Sequence, residues 1–432
     1  VPHSPASPGG ASLGAGSSLE DWLRWQETLH PRSIELGLGR IARVAAALRL
    51  PAHDALTITI AGTNGKGSSA HLAELIYRKA GYHVGLYTSP HLLHYNERIR
   101  IDGEPCRDAD LCRAFTAIEA ARGNVALTYF EFGTLAALWL FREAGVQLQI
   151  LEVGLGGRLD ATNLVDADAA LVTTIGLDHQ DWLGDTREQI AVEKAGVFRH
   201  GRVAIAAEPA PPATLIAEAT RIGALLQRRG QDFDVGRGEN GFDWIGTDRE
   251  YAGLPLPGIA GDAQIDNAAG VIALVEALQA RLPVPESALR SALPQLRVPG
   301  RLTQRGDLLL DVAHNAEAAQ VLAQAIERLY DETGVVLVLG MLDDKPHAAF
   351  VAALATRLNA VVFVDLPPPR GLKAEDLQAR VQASLTADMP QRCCDNMRDA
   401  LNQARSFAGG AGHIVVTGSF LTVAEALSTV DG

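Results

Sequence analysis

Cysteine is scarce in this chain, with four among 432 residues, at positions 106, 112, 393 and 394, and no paired C-x-x-C spacing. That pattern excludes a zinc ribbon and a disulfide framework, and it fits a reducing cytoplasm. The adjacent Cys393 and Cys394 read as ordinary semi-buried thiols rather than a redox pair. Aromatic residues make up only 5% of the chain, and no apolar run approaches the roughly 20 residues a membrane span needs. Positive charge is in deficit as well: 38 Lys and Arg stand against 51 Asp and Glu, a net charge of −13. Such a balance disfavours nucleic acid and other polyanions as partners, so an anionic ligand must be held by local cations. Residues 1–18 are rich in Pro, Gly, Ala and Ser and lack the basic and apolar regions of a signal peptide, which predicts a disordered arm.

What is present is organised around one loop. The β-rich run Leu56-Thr57-Ile58-Thr59-Ile60 leads into Ala61-Gly62-Thr63-Asn64-Gly65-Lys66-Gly67-Ser68, and a helix pattern then runs to Gly81. Glycines let backbone N–H groups approach phosphate oxygens, the helix N-terminus adds positive potential, Lys66 can neutralise a terminal phosphate and Ser68 can reach a metal ion. The spacing is atypical. A general phosphate loop has four residues between its first Gly and its Gly-Lys pair, whereas only Thr63 and Asn64 intervene here, and Gly67 separates Lys66 from the hydroxyl.

At this length two domains are expected. Leu19 to Leu50 reads as two short helices broken at His30-Pro31, and Thr128-Tyr129-Phe130-Glu131 has capping-box spacing ahead of a helix that stops at Gly145. Asp185-Thr186-Arg187-Glu188 opens another by the same logic. Val84–Thr88, 146–153 and 169–175 read as buried parallel strands. From 203 to 258 the pattern is less regular, which predicts antiparallel strands or long loops. Helical periodicity returns at 266–282 and 286–293, and Pro294, Pro299 and Gly300 interrupt it. Beyond that break, β-type runs at 307–312, 335–340, 360–365 and 413–417 alternate with helical patterns.

The fold class is therefore α/β: an N-terminal P-loop-type mononucleotide-binding domain with a mostly parallel sheet over 19–297, and a smaller Rossmann-like α/β domain over 298–432. In parallel sheets ligands gather at strand carboxyl ends. Ser89, Glu152 and His179 each follow such an end, and with Ser68 they can offer a hydroxyl, a carboxylate and an imidazole to Mg²⁺. Taken singly, Glu152 reads more readily as a solvated or helix-capping residue and His179, near Asp178 and Asp181, as a surface hydrogen-bonding group; the phosphate loop reverses that only if the strands are neighbours. The loop Gly154–Asn163 can line a pocket for a polar ring system or merely turn locally through Asp160 and Asn163. Lys194 is a solvated helix cation or, if neutral and facing metal or phosphate, an amine able to take up carbon dioxide as a carbamate. Arg301 can reach across an interdomain cleft towards developing phosphate charge, while Asp311 and His314 sit at a strand end as a ligand site or as a turn brace.

In order, His30-Pro31 with Ile34–Leu38, Gly62–Ser68, Thr88–Leu92 with Asn96–Ile99, Thr128–Glu131, Glu152–Asn163, Asp178-His179, Glu193–Gly196, Asn267–Ala269, Pro299–Arg301, Asp311–Asn315 and Thr417–Ser419 span nearly the whole chain. Together they resemble the bacterial dihydrofolate synthase/folylpolyglutamate synthase family of the Mur ligase superfamily. The resemblance implies a cytoplasmic, monomeric, ATP-dependent ligase that adds L-glutamate to dihydropteroate and reduced folates through an acyl phosphate. It implies ATP as co-substrate on Gly62, Thr63, Asn64, Gly65, Lys66, Gly67, Ser68, Asn267 and Arg301. Mg²⁺ would occupy two sites among Ser68, Ser89, Glu152, His179 and carbamylated Lys194, and Lys66, Lys194, His179 and Arg301 would carry the catalysis. Thr128, Phe130, Asp160 and Ala161 would line the pterin pocket, and Asp311, His314 and Ser419 the glutamate side. Two positions depart from the family pattern: Ala263 replaces a His in Gly261-Asp262-Ala263-Gln264, and Ala316 replaces the Pro after His314-Asn315. A monofunctional ligase, a P-loop kinase or ATPase and a non-catalytic nucleotide-binding protein are the alternatives. The phosphate-loop spacing and the second-domain motifs speak against the kinase, and the presence of Lys66, Glu152 and His179 against the binding protein.

Overall fold

The computed structural model describes residues 16–32, 34–50, 55–238, 240–330, 334–409 and 412–431. Most of the expected N-terminal arm lies outside the described residues. Eight strands form the larger sheet, in the order Glu104–Pro105, Ile99–Ile101, Val84–Tyr87, Leu148–Glu152, Leu56–Ala61, Ala169–Val172, Val203–Ala206 and Leu225–Arg228. The six from Val84–Tyr87 onward are parallel, and the first two add an antiparallel edge.

Strand residues alternate between faces, and both faces are buried. Ile58, Ile60, Leu148 and Ile150 pack with Leu72 and Ile76 of the helix Lys66–Lys79 and with the helix Asp262–Ala277. Leu151 and Tyr87 point the other way, into a core with Trp22, Phe115, Phe132 and Phe141. This two-sided burial accounts for the continuous apolar runs of the central strands. The helix Tyr129–Ala144 begins at the expected capping box, with Thr128 Oγ1 accepting from Glu131 N and Glu131 Oε2 accepting from Thr128 N, and it ends at Gly145 in the left-handed region. The box before the helix Arg187–Ala195 is formed by Thr186 and Gln189, one residue later than the Asp185–Glu188 spacing predicts.

The second sheet runs Thr303–Arg305, Leu308–Leu310, His413–Thr417, Val335–Leu339, Leu358–Val364 and Gln391–Cys394, parallel except for the first hairpin. Cys393 and Cys394 belong to its edge strand, which the sequence reading passed over because Gln391-Arg392-Cys393-Cys394 is half exposed and not apolar. Residues 203–258 differ from expectation in part. Val203–Ala206 and Leu225–Arg228 extend the large parallel sheet with the helix Ala213–Ile222 between them. Only Phe233–Arg237, Phe242–Gly246 and Glu250–Leu254 form an antiparallel sheet. That sheet buries Phe233, Trp244 and Tyr251 against the core shared with the helix Asp262–Ala277, which is why an otherwise polar stretch stays ordered.

Among the described residues no helix is long and apolar enough to cross a membrane. The two sheets point the carboxyl ends of their central strands at one cleft, where every candidate side chain but a few gathers.

Candidate active site

The chain leaves the strand Leu56–Ala61 towards Val84–Tyr87 on one side of the sheet, whereas its parallel neighbours Leu148–Glu152 and Ala169–Val172 lead to strands on the other, so a crevice opens at its carboxyl end. The loop 62–65 fills the bottom of that crevice. Thr63 N donates to Thr174 O (2.7 Å), Asn64 N to Thr174 Oγ1 (3.0 Å), and Thr173 Oγ1 donates to Asn64 O (2.6 Å). Gly62 has φ +148°, and a Cβ there would lie 1.8 Å from Thr173 Oγ1. Gly65 has φ +85° and faces Asn267, whose amide donates to Gln264 Oε1 (3.2 Å). Gln264 thus supports Asn267 beside the alanine at 263.

Lys66 is half-buried and donates to Gly62 O (2.9 Å) and Thr63 O (3.0 Å). Burial lowers its pKa, opposed by the charges of Glu152 and Asp178. Glu152 lies at the end of the neighbouring strand, buried, accepting from Ser89 N (3.0 Å). Burial raises its pKa, while Lys66 and the Ser89 amide pull it down. A buried carboxylate with an amide donor from Ser89, lining one cleft with Lys66 and His179, suits a cation.

Gly62–Gly67, Ser89, Glu152, Asp178, His179, Lys194, Arg301 and His314 line one continuous cleft. Ser68 does not. It is 3% exposed, inside the helix, and Gly67 takes the place the sequence reading assigned to the hydroxyl. Two residues beyond Lys66 is about 200° around a helix, so Ser68 turns towards the sheet as Lys66 faces the cleft. His179 holds a left-handed backbone (φ +52°, ψ +41°) at the start of the short helix Gln180–Leu183. For a non-glycine residue that costs about 1–3 kcal/mol and aims the imidazole into the cleft. Burial brings His179 down to about 4, so its ring is neutral at pH 7 and able to ligate a metal.

Lys194 is 3% exposed, and burial with the charge of Lys66 holds its pKa well below the usual lysine value. The helix Arg187–Ala195 presents it to the same space. Among the described residues no group of three or more His, Cys, Asp or Glu side chains converges on a metal by itself. A cation here would therefore combine Glu152, Ser89 and the neutral His179 with ligand oxygens and water, the habit of Mg²⁺ rather than of zinc.

A second cavity adjoins the first and shares Ser89, Gly154, His179 and His314 with it. Its walls include Ile34, Leu36, Thr128, Phe130, Asp160 and Ala161. Asp160 is buried and accepts from Leu155 N (2.9 Å), Thr162 N (2.9 Å) and Thr162 Oγ1 (2.6 Å). Burial raises its pKa against those bonds, so it both shapes the loop and offers an acceptor to a polar ring. Ser419 lines this cavity too, and its Oγ is engaged with Thr422 Oγ1 (2.7 Å).

Asp311 lines neither cavity. Its oxygens accept from Leu302 N (3.0 Å) and Ala313 N (2.9 Å), so it braces the turns carrying Arg301 and His314 instead of facing a ligand. Burial raises its pKa, with the nearby charge of Arg301 opposing. The alternative expected of it as a turn brace is the one the geometry favours.

Sequence reasoning missed the junction between the two lobes. Asp178 accepts from Lys345 Nζ (2.8 Å) and Asn315 Nδ2 (3.4 Å), and lies 3.5 Å from His314 Nε2. Burial acts to raise its pKa, yet the hydrogen bond from His314 and the charges of His179 and Lys345 win and hold it far below the carboxylate range. Asn315 also donates to Asn64 Oδ1 (3.0 Å), which ties the second lobe directly to the phosphate loop. Lys345 follows Asp343-Asp344 in a polar turn and carried no motif of its own; only its place in the fold marks it.

The residues 60–221 match the Mur ligase middle domain and 300–420 the Mur ligase glutamate ligase domain. The dihydrofolate synthase/folylpolyglutamate synthase of Escherichia coli K12 is 41% identical over 422 residues, covering 96% of each chain. The solved structure of E. coli FolC in complex with DHPP and ADP is similar with a TM-score of 0.91 at 40% identity, over 97% of this chain and 99% of that one. The Yersinia pestis folylpolyglutamate synthase/dihydrofolate synthase complexed with AMPPNP and Mn ion has a TM-score of 0.89 at 40% identity, over 98% and 100%. The kinase, ATPase and binding-protein readings fall with these similarities, and the chain belongs to the bifunctional dihydrofolate synthase/folylpolyglutamate synthase family of Mur-type ligases.

Proposed function

We propose that this chain is a cytoplasmic, monomeric, ATP-dependent ligase that joins L-glutamate to dihydropteroate and to reduced folates. The observation that carries this reading is the meeting of two cavities, one floored by a phosphate loop and one walled by apolar and aromatic side chains, at Ser89, His179 and His314. A carboxylate entering from the second cavity meets there a phosphoryl group delivered from the first.

Residues 19–297 act as the ATP- and pterin-binding domain and 298–432 as the glutamate-side domain. Lys66, Thr63 and the loop amides hold the phosphates, and Asn267 and Arg301 contact the nucleotide. Ser89, Glu152 and His179 hold one Mg²⁺, and Lys194 as a carbamate holds a second. The bound cation supplies neutralisation of phosphate charge. Lys66 and Arg301 meet the charge that develops as the acceptor carboxylate attacks the γ-phosphorus and ADP leaves. The carboxyl carbon, now bearing phosphate as a leaving group, is attacked by the glutamate amine, with His314 and Ser419 on that side. Closure of the lobes through Asp178, Lys345 and Asn315 keeps water from hydrolysing the acyl phosphate.

The test is phosphate release by purified protein with Mg²⁺, ATP and L-glutamate, with dihydropteroate or a reduced folate supplied as acceptor. Glutamylated product from both acceptors is expected; release that ignores acceptor and glutamate overturns the assignment. Gly65→Ala is expected to weaken ADP binding about tenfold or more by calorimetry, because its φ of +85° is strained for alanine and the new Cβ would lie 2.3 Å from Asn267 Oδ1.

A further inference from the structure

The second cavity contains charged side chains whose partners account for nearly all of them. Lys345 is matched by Asp178 and Arg370 by Asp344 (2.9 Å), Glu35 and Glu131 both face Arg40, and Asp160 is satisfied by amides and a hydroxyl. Arg98 stands apart. Among the described residues no carboxylate lies within ion-pair distance of its guanidinium, although it is half-buried in the cavity wall.

The neighbouring acids are occupied elsewhere. Glu97 accepts from the amides of Leu92 (2.7 Å), Leu93 (2.8 Å) and His94 (2.7 Å), and Glu152 accepts from Ser89 N. Arg98 is instead oriented by uncharged groups. Its Nε donates to His91 Nδ1 (2.7 Å), and its Cζ lies 5.4 Å from the Tyr95 ring centre and 5.5 Å from that of Tyr129. Burial, reinforced by the Arg98 charge, takes His91 down to about 4, so the imidazole is a neutral acceptor that leaves the positive charge uncompensated. A rigid guanidinium with free N–H donors, set between two rings and lacking an internal carboxylate, is prepared for a carboxylate of the ligand.

We infer that Arg98 binds the α-carboxylate of an acceptor that already carries a glutamyl residue, and so distinguishes reduced folates from dihydropteroate. This rests on the ligase reading above and deepens it. Dihydropteroate has one carboxylate, the reacting one, which must sit at the junction by Ser89 and His179. A glutamylated acceptor reacts through its γ-carboxylate and carries a second, spectator carboxylate whose carbon is four C–C bonds from the reacting one, on the order of 5 Å. Arg98 is held beside the junction: its carbonyl accepts from the amide of Thr88 (2.9 Å), the residue before Ser89, and Arg98 lines the same cavity as Ser89 and His179. Both anions are thereby matched without a second pterin pocket.

The experiment compares wild type, Arg98→Met and Arg98→Lys with two acceptors, dihydropteroate and monoglutamyl tetrahydrofolate, under saturating ATP, Mg²⁺ and L-glutamate. The loss of a charge-assisted bidentate contact predicts that the ratio of kcat/KM for dihydropteroate to that for the glutamyl acceptor rises about tenfold or more in Arg98→Met, carried by KM of the glutamyl acceptor. Arg98→Lys, which keeps the charge and loses the fork, falls between. Circular dichroism and ADP affinity report folding independently. An equal loss for both acceptors in a folded, ADP-binding variant overturns the inference and assigns Arg98 to the reacting carboxylate. Wild-type protein that glutamylates neither acceptor overturns the ligase reading itself.

Discussion

Lys194→Ala should lose at least about 100-fold of acceptor-dependent ADP formation, as expected when a fixed electrostatic partner is removed from a phosphoryl-transfer site. The ligand-free variant should at the same time melt no lower than wild type. Both outcomes follow from where the amine sits. Burial, helped by Lys66 and opposed by Asp178, depresses the pKa of Lys194 well below its unfolded value. A lysine of that kind destabilises the fold progressively as pH drops below the unfolded pKa, until the folded pKa is passed, so its removal relieves a cost at neutral pH. The neutral amine is also a nucleophile: its nitrogen forms a bond to the carbon of CO2, a proton leaves to solvent, and the resulting carbamate is an anion where a cation would have been repelled by Lys66. Carbon-13 NMR in labelled bicarbonate should show a carbamate resonance that is absent from Lys194→Ala. An active, bicarbonate-equilibrated wild type without that resonance rules the modification out.

Glu152→Gln should lower turnover by about two orders of magnitude or more at saturating ATP and shift the Mg²⁺ requirement upward, while raising the melting temperature of the ligand-free protein. The carboxylate is buried, and desolvation raises its pKa despite Lys66 and the Ser89 amide. The sign is opposite to that of an ion-paired acid. With the folded pKa above the unfolded one, Glu152 costs stability as pH rises from the unfolded pKa through the folded pKa, and that cost persists at neutral pH. Glutamine keeps the shape and can still accept from Ser89, and it carries no charge to desolvate. The wild-type deficit should shrink on adding Mg²⁺ with a nucleotide and the variant's should not; thermal melts with and without ligand measure this. A variant that melts lower than wild type at neutral pH would contradict the assignment of Glu152 as a buried anion whose desolvation outweighs its partners.

The legibility of the site varied with the range of the interaction behind each residue. Thr128 and Glu131 announced a helix start because the capping box is a local exchange of two hydrogen bonds between residues three apart in sequence. Gly62 and Gly65 were legible for a related reason, since tight approach to Thr173 and Asn267 at positive φ leaves little room for a side chain. Ser68 misled because its spacing from Lys66 was read along the chain, whereas helical rotation turned it away from the cleft. Asp311 misled in the opposite manner: a strand-end acid suggested a ligand, and two backbone amides had already claimed it. The edge strand at Gln391–Cys394 escaped notice because edge strands need no apolar alternation.

By itself, the sequence determined the alternation of strands and helices, the phosphate loop and the ordered series of motifs that identifies the family, because periodicity, capping and glycine placement act over a few residues. Tertiary structure decided what those motifs do together. Only the fold brings Asp178 within reach of Lys345, 167 residues later in the chain, and Asn64 of Asn315, 251 residues later. Only the fold gathers Lys66, Glu152, His179 and Lys194 around one cleft, and the desolvation that is the largest influence on each of their pKa values is a property of that cleft and of no residue taken alone.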